Sequence, residues 1–184
     1  MVKLLGISGS LRKQSYNTAL LRAAQSLLPP EVTLDIATLH GIPLYDGDAE
    51  QAQGIPQAVT ELKQRIIAAD GVLLASPEYN SGIPGVFKNA IDWVSRPPKE
   101  LQGIFGNRAF AVIGATPGGL GTVMAQAAWL PVLKALGTRT WSGAKVMVPR
   151  ANHAFDPQGA LTDETVRGQL RDFVAGFAVF AKPG

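Results

Sequence analysis

The chain has 184 residues, 46% of them hydrophobic and 17% charged, with a formal charge of +3 from 17 basic and 14 acidic residues. That size and balance fit one globular domain, residues 1–184, with a sizeable core, and exclude a disordered chain. No basic run exceeds Arg12-Lys13, which argues against a nucleic-acid surface; with no cysteine, disulfides and thiolate metal sites are excluded, and no apolar run approaches the ~20 residues a membrane span needs. The expectation is a cytoplasmic protein with no membrane and no nucleic-acid partner.

Short apolar runs alternate with segments of helical period. "VKLLGIS" (Val2–Ser8) reads as a buried strand, and Leu20, Leu21, Ala24, Leu27 and Leu28 as the inner face of a helix that Pro29-Pro30 ends. "VTLDIA" (Val32–Ala37) is a second strand, followed by a long loop and a helix restarting at Pro56 with Val59, Leu62 and Ile66 inside. "GVLLAS" (Gly71–Ser76) is the third strand. The helix after Pro84 turns Val86, Phe87, Ala90, Ile91 and Val94 inward.

"AFAVIGA" (Ala109–Ala115) is the fourth strand, and its helix is expected to bury Val123, Ala127 and Leu130 and to kink or break near Trp129 because of Pro131. "AKVMV" (Ala144–Val148) is the fifth strand. A last helix opens at "TDE" with Val166, Leu170, Phe173, Val174 and Phe177 inside.

Five β/α units with continuously apolar strands call for a doubly wound, flavodoxin-like α/β fold: a five-stranded parallel sheet of order 2-1-3-4-5 with helices on both faces. Ligands of such sheets lie beyond the carboxyl ends of the strands, at the switch in strand order. Three loops there have unusual composition: "SGSLRKQSYN", "PEYNSG" and "TPGGLG". In the first, a helix beginning near Ser15–Asn17 aims free N–H groups and its positive dipole end into the loop. Gly9 permits close approach, Ser8, Ser10, Ser15 and Asn17 offer neutral donors, and Arg12 a charged one. This suits a phosphate monoester. The P-loop pattern and the G-x-G-x-x-G fingerprint are both missing from this turn, so a mononucleotide such as FMN fits better than a nucleoside triphosphate or a dinucleotide.

"GSLRKQSYN", "SPEYNSGIPGVFKNAIDWVSRP" and "VPRANHAFDPQGALTDE" resemble the signatures of the NADPH-dependent FMN reductase family, the flavodoxin-like quinone and chromate reductases of bacteria. The resemblance runs in order over essentially the whole chain. It implies that Ser8, Ser10, Arg12, Ser15 and Asn17 hold the FMN phosphate, with Gly9, Leu11 and Tyr16 also among the cofactor-binding residues. Pro77, Glu78, Tyr79 and Asn80 would line the isoalloxazine, and Thr116, Pro117, Gly118 and Gly119 would close its other side. It also implies NADPH or NADH as co-substrate, a small-molecule electron acceptor such as a quinone, and a homodimer or homotetramer, for which Trp93, Trp129 and the "PRANHAFD" loop are the contact candidates.

Other readings stand beside these. Glu78 could be a solvated turn residue and Tyr79 a cap on the core, while Asn80 and Gly82 could serve the turn. Arg96 is either a cation at a helix C-terminus or, on the resemblance, a residue reaching the flavin or the nicotinamide phosphate. His40 and His153 read as structural, with no metal site expected. No catalytic side chain is required, because the hydride chemistry belongs to the cofactor. Two other functions remain, a flavodoxin-type electron carrier without a nicotinamide site and a non-catalytic phosphate- or nucleotide-binding module.

Overall fold

In the computed structural model, which describes residues 1–182, most of the apolar runs become strands or the buried stripes of helices. The strands are β1 (Val2–Ser8), β2 (Val32–Ala37), β3 (Gly71–Ala75), β4 (Ala109–Ala115), β5 (Arg139–Thr140) and β6 (Met147–Val148). The helices are α1 (Tyr16–Ser26), α2 (Gly47–Gln53), α3 (Gln57–Ala68), α4 (Gly85–Val94), α5 (Leu101–Phe105), α6 (Val123–Ala135), α7 (Ala151–Ala154) and α8 (Glu164–Ala181). All pairing between strands is parallel, in the order β2-β1-β3-β4-β5, with β6 also on β4.

Alternation of side chains along each strand feeds two separate cores. On one face Leu4, Leu73, Ala111 and Ile113 pack against α1 and α8, chiefly Leu20, Leu21, Phe173 and Phe177. On the other, Leu5, Ile7, Val72, Leu74 and Phe110 meet α3, α4, α5 and α6 through Val59, Ile66, Phe87, Ile91, Trp129 and Leu133. Because both faces are covered, β3 is buried at every position. The register pairs Ser8 with Ala75 and Ala75 with Ile113, so the loops after β1, β3 and β4 leave the sheet side by side.

Four expectations need correction. The fifth strand is not Ala144–Val148 but two short pieces: Arg139–Thr140 pairs with the start of β4 and Met147–Val148 with its end. Trp141, whose N–H still donates to the Phe110 carbonyl of β4 at 2.8 Å, lies edge-on to Phe173 of α8 with ring centroids 4.7 Å apart, and beyond it the chain leaves the sheet. Helix α6 passes through Pro131 without a break. Its buried face is Ala125, Gln126, Trp129 and Leu133, so Val123, Ala127 and Leu130 face outward instead. Trp93 and Trp129 are 1% and 0% exposed, which removes both as contact residues between subunits. Trp93 Nε1 donates to the Pro43 carbonyl at 2.9 Å, and Trp129 Nε1 to Ser76 Oγ at 3.0 Å.

The long segment before Pro56 also contains a helix, α2, started by Asp46, whose carboxylate accepts from the backbone N–H of Asp48 and Ala49.

Candidate functional site

The loop after β1 is anchored from below and open above. Ser8 is fully buried, and its hydroxyl shares a 2.7 Å hydrogen bond with that of Thr18. Gly9 donates to the Ala75 carbonyl at 2.9 Å. A Cβ at position 9 would lie inside the van der Waals shell of the Phe87 ring, so this glycine is demanded by packing under the loop, not by a ligand above it. His40, after β2, reaches across and donates through Nε2 to the Leu11 carbonyl at 3.2 Å, while its Nδ1 meets Thr38 Oγ1 at 3.1 Å. The 2-1-3 strand order puts the loop after β2 beside this one, which is the signal by which His40 could have been found.

Above these anchors the polar groups point out. Ser10 Oγ accepts from Arg12 N–H and Ser15 Oγ from Thr18 N–H, capping α1; each hydroxyl keeps its own hydrogen to donate. The backbone N–H groups of Leu11, Lys13, Gln14, Tyr16 and Asn17 have no protein acceptor among the described residues. The Arg12 side chain is exposed, and its guanidinium has no ion-pair or hydrogen-bond partner among them. A row of orphan donors at a helix N-terminus, with a free guanidinium, is the donor set that a phosphate group satisfies.

Two side chains fix this loop to the others. The buried amide of Asn17 is spent on the backbone of Ala115, donating to its carbonyl at 2.9 Å and accepting from its N–H at 3.0 Å. That clamp joins α1 to the end of β4. Glu78, in the loop after β3, is not a solvated turn residue: its Oε2 accepts from the N–H of Met124 at 2.9 Å and of Ala125 at 3.0 Å. It thereby caps α6 from another loop. The helix needs this, because its own N-cap residue, Thr122, has a left-handed backbone and makes no side-chain cap. Through these two bonds Glu78 braces the loop after β3 against α6.

The rest of the ring-binding candidates fall around these clamps. Pro77 is buried, with its carbonyl accepting from Ser76 Oγ. Tyr79 and Gly82 exchange both backbone hydrogen bonds across a tight turn whose central residues, Asn80 and Ser81, have φ of 49° and 60°. The positive φ thus falls on Ser81, not Gly82. The turn leaves Tyr79 46% exposed beyond the carboxyl end of β3.

Thr116 Oγ1 accepts from Gly118 N–H, and Pro117, Gly118 and Gly119 are exposed. The segment after β6 closes this loop from outside, Arg150 donating to the Gly118 carbonyl and Ala151 to that of Thr116, both at 2.9 Å. Tyr16 stacks on Phe155 of the same segment, with centroids 5.6 Å apart. The three loops therefore meet, held by Asn17 and Glu78, and expose a donor row beside an aromatic and a glycine-rich edge, which suits a flat ring carrying a phosphate.

Arg96 lies elsewhere. It follows the C-terminal end of α4, whose ten residues span about 15 Å from the end near the loops. Its Nε donates to Glu50 Oε2 at 3.0 Å, and Tyr45 OH donates to the same oxygen at 3.0 Å. Burial disfavours the Glu50 charge, but the hydrogen bonds from Arg96 and Tyr45 outweigh it and hold the carboxyl below its ordinary range. The bond to Glu50, aided by burial, raises the Tyr45 phenol.

A doubly wound sheet whose first, third and fourth strand loops converge on a phosphate-type donor row defines a flavodoxin-like nucleotide-binding protein. The sequence profile of the family described as NADPH-dependent FMN reductase matches residues 2–153, and the chain belongs to that family. It is 45% identical over 166 residues to an NAD(P)H-dependent FMN reductase of Pseudomonas aeruginosa, covering 90% of this chain and 88% of that one. It is 33% identical to a 2-hydroxy-1,4-benzoquinone reductase of Burkholderia, covering 98% and 97%. Among solved structures, the flavoenzyme NAD(P)H:(acceptor) oxidoreductase of Paracoccus denitrificans superposes with a TM-score of 0.86 at 33% identity, covering 98% and 97% of the two chains. The chain is an oxidoreductase of this flavodoxin-like family.

Proposed function

We propose that the protein is an FMN-dependent NAD(P)H oxidoreductase that works by ping-pong exchange, taking hydride from a reduced nicotinamide and passing reducing equivalents to quinones or comparable small acceptors. The observation that carries this reading is the row of unpaired N–H donors from Leu11 to Asn17, set beside two clamped loops in a chain of this family. In this reading Ser10, Arg12, Ser15 and the free N–H groups hold the FMN phosphate, with Ser8, Gly9, Leu11, Tyr16 and Asn17 shaping the loop. Pro77, Tyr79 and Asn80 line one side of the isoalloxazine, and Thr116 to Gly119 the other. Glu78 and Asn17 keep those sides at a fixed separation.

The chemistry that FMN supplies when bound is hydride acceptance and donation at its N5 position. The chain's own part is to orient the ring, to present backbone donors at its edge and to leave one face open for a second flat molecule. No side chain is assigned a proton-transfer role, and Glu78 is occupied as a helix cap.

The reading includes a cytoplasmic setting, where reduced nicotinamide is made, and a homo-oligomer. The contact candidates are the "PRANHAFD" loop, with Arg150, Asn152 and His153 exposed, and the outer face of α6, where Met124 and Leu130 are 48% and 54% exposed beside Val123 and Ala127. Arg96, ion-paired and remote from the loops of its own chain, could reach a flavin only across such a contact.

The experiment is direct. The purified protein should be yellow, release about one FMN per chain and oxidise NADPH or NADH with a quinone in steady state; chromate, azo and nitro compounds are assayed alongside. A colourless protein that takes up no FMN refutes the proposal. Bound FMN without nicotinamide turnover would make it an electron carrier, a role that the net charge of +3 does not favour, since such carriers are usually strongly acidic.

A further inference from the structure

The two pieces of the outer edge, β5 and β6, leave a gap along β4. The Phe110 carbonyl accepts from Trp141 N–H at 2.8 Å, and Gly114 N–H donates to the Val146 carbonyl at 3.1 Å. Even-numbered residues of β4 therefore aim both backbone groups at this edge. Val112 lies between these two, level with the gap. Neither its N–H nor its carbonyl has a partner among the described residues.

A cleft of about 280 Å³ opens there, between the gap and the outer side of α6, with Val112 among its lining residues. Its walls are mostly apolar: Val123, Ala127 and Leu130 of α6 on one side, Met147 on the other. Gln126 also lines it, in a residue only 8% exposed. Its Nε2 donates to Thr122 Oγ1 and the Val146 carbonyl, while its Oε1 has no donor among the described residues. Since no fully buried side-chain polar atom among them is left without a partner, Oε1 reaches open space, and the space beside Gln126 is this cleft. Lys145 is the one charged lining residue; it is exposed and has no ion-pair partner among the described residues.

Val112 is three residues, about 10 Å, down β4 from Ala115, where the loop begins. None of the residues given to FMN lines the cleft. Unpaired backbone groups beneath apolar walls call for a partner. An added peptide strand would need a run of free groups, but β5 and β6 occupy β4 on either side of Val112. What fits one N–H beside one carbonyl is a flat ring with an acceptor next to a donor. An aminopyrimidine edge has both: its ring nitrogen accepts from Val112 N–H and its amino group donates to the Val112 carbonyl. The second amino hydrogen is available to Gln126 Oε1. Adenine carries this edge, and the phosphate of an adenine nucleotide gives Lys145 a counter-charge.

We propose that this cleft binds a free adenine nucleotide, with Val112 and Gln126 reading the ring and Lys145 meeting the phosphate. The site lies outside the flavin loops and does not rest on the FMN reading.

The test is calorimetric titration of the purified protein with AMP, adenosine, inosine and ribose 5-phosphate. AMP and adenosine should bind and ribose 5-phosphate should not. Inosine, with a carbonyl in place of the amino group, leaves Gln126 Oε1 without a donor and should bind roughly fivefold or more weakly than adenosine. Lys145→Ala should weaken AMP about two- to fivefold and leave adenosine unchanged. Ala127→Trp, at an exposed helix position, fills the cleft and should abolish both while Tm and FMN content stay as in wild type. Hydrogen exchange reads the edge directly: Val112 N–H should exchange fast in the free protein and slowly with AMP, and Gly114 N–H slowly in both.

Equal binding of adenosine and inosine would mean apolar filling with no reading of the edge. A Val112 amide that is slow in the free protein, or still fast with AMP, would remove that edge from the site. AMP acting in competition with NADPH would put it in the nicotinamide path. A smaller oligomer in Ala127→Trp would make a second copy the occupant. Each of these overturns the proposal, as does an absence of AMP binding at millimolar concentration. A protein that holds no FMN sinks the functional reading alone, since the titrations with AMP and adenosine still decide this one.

Discussion

Replacing Glu78 by Ala tests whether the β3 loop is a brace or a catalytic element. The carboxylate caps α6 through two N–H groups, at 2.9 and 3.0 Å, and no other side chain among the described residues caps that helix. Loss of a helix N-cap costs about 0.5–2 kcal/mol. Since Glu78 is half-buried and water can reach Met124, we place the cost at about 1–2 kcal/mol. For a chain of this length that lowers Tm by roughly 2–8 °C. Glu78→Gln keeps an oxygen acceptor and loses the charge facing the helix dipole, so it should fall between wild type and Glu78→Ala.

The loop and α6 are tied together by this bond, so freeing it should also weaken FMN through disorder of the Tyr79 turn. Hydride transfer at saturating FMN and nicotinamide should stay within a few-fold. The assays are thermal unfolding, fluorescence titration with FMN and stopped-flow flavin reduction. Unchanged Tm in Glu78→Ala refutes the capping argument. Unchanged Tm with a reduction rate down a hundredfold or more would make Glu78 a participant in the chemistry instead.

Arg12→Ala should cost FMN about ten- to 150-fold in dissociation constant, the value of a charge-assisted hydrogen bond, and leave riboflavin binding and Tm unchanged. Equal losses for FMN and riboflavin would show that the guanidinium does not meet the phosphate. Asn17→Ala should do the reverse on stability: it leaves the Ala115 N–H and carbonyl without partners, at about 2–4 kcal/mol, measured by denaturant unfolding. Glu50→Gln should be less stable than wild type at neutral pH. Because the folded-state pKa of Glu50 is lowered, the difference is present above the ordinary carboxylate value and shrinks as pH falls through the lower, folded one; a difference that grows on acidification would refute the Arg96 and Tyr45 pairing.

Most of the sheet was legible because burial on both faces leaves β3 and nearly all of β1 and β4 apolar, because the edge strand β2 alternates buried Val32 and Leu34 with exposed Thr33 and Asp35, and because turn residues mark where each run stops. Helix α6 was not, for a physical reason. Its outer face carries Val123 and Leu130 while its buried face includes Gln126, so hydrophobic phase alone points the wrong way. Gln126 is acceptable inside because its Nε2 donates to Thr122 Oγ1 and to the Val146 carbonyl. Likewise, the apolar Ala144–Val148 run reads as one strand, but only its last two residues pair with β4, while Trp141 before it packs its ring edge-on against Phe173.

The site divides along the same line. Composition located the three loops, since Gly, Ser, Asn and a free Arg at a strand end announce a place where the backbone must stay polar and open. Composition could not say which polar groups face the ligand. Ser8, Asn17 and Glu78 look like ligand donors or solvated turn residues in a one-dimensional reading, yet each is consumed by a contact 10 to 98 residues distant in sequence. Their work is done before any ligand arrives. With the inward bonds satisfied by these three, what remains unsatisfied at the surface is the Leu11–Asn17 donor row and the cations beside it. A ligand that binds there need not reorganise the protein, so its phosphate contacts go largely into affinity. Those contacts are the same in ground and transition states, and for that reason mutations in the row should act on cofactor retention and leave the rate of hydride transfer at saturating FMN nearly unchanged.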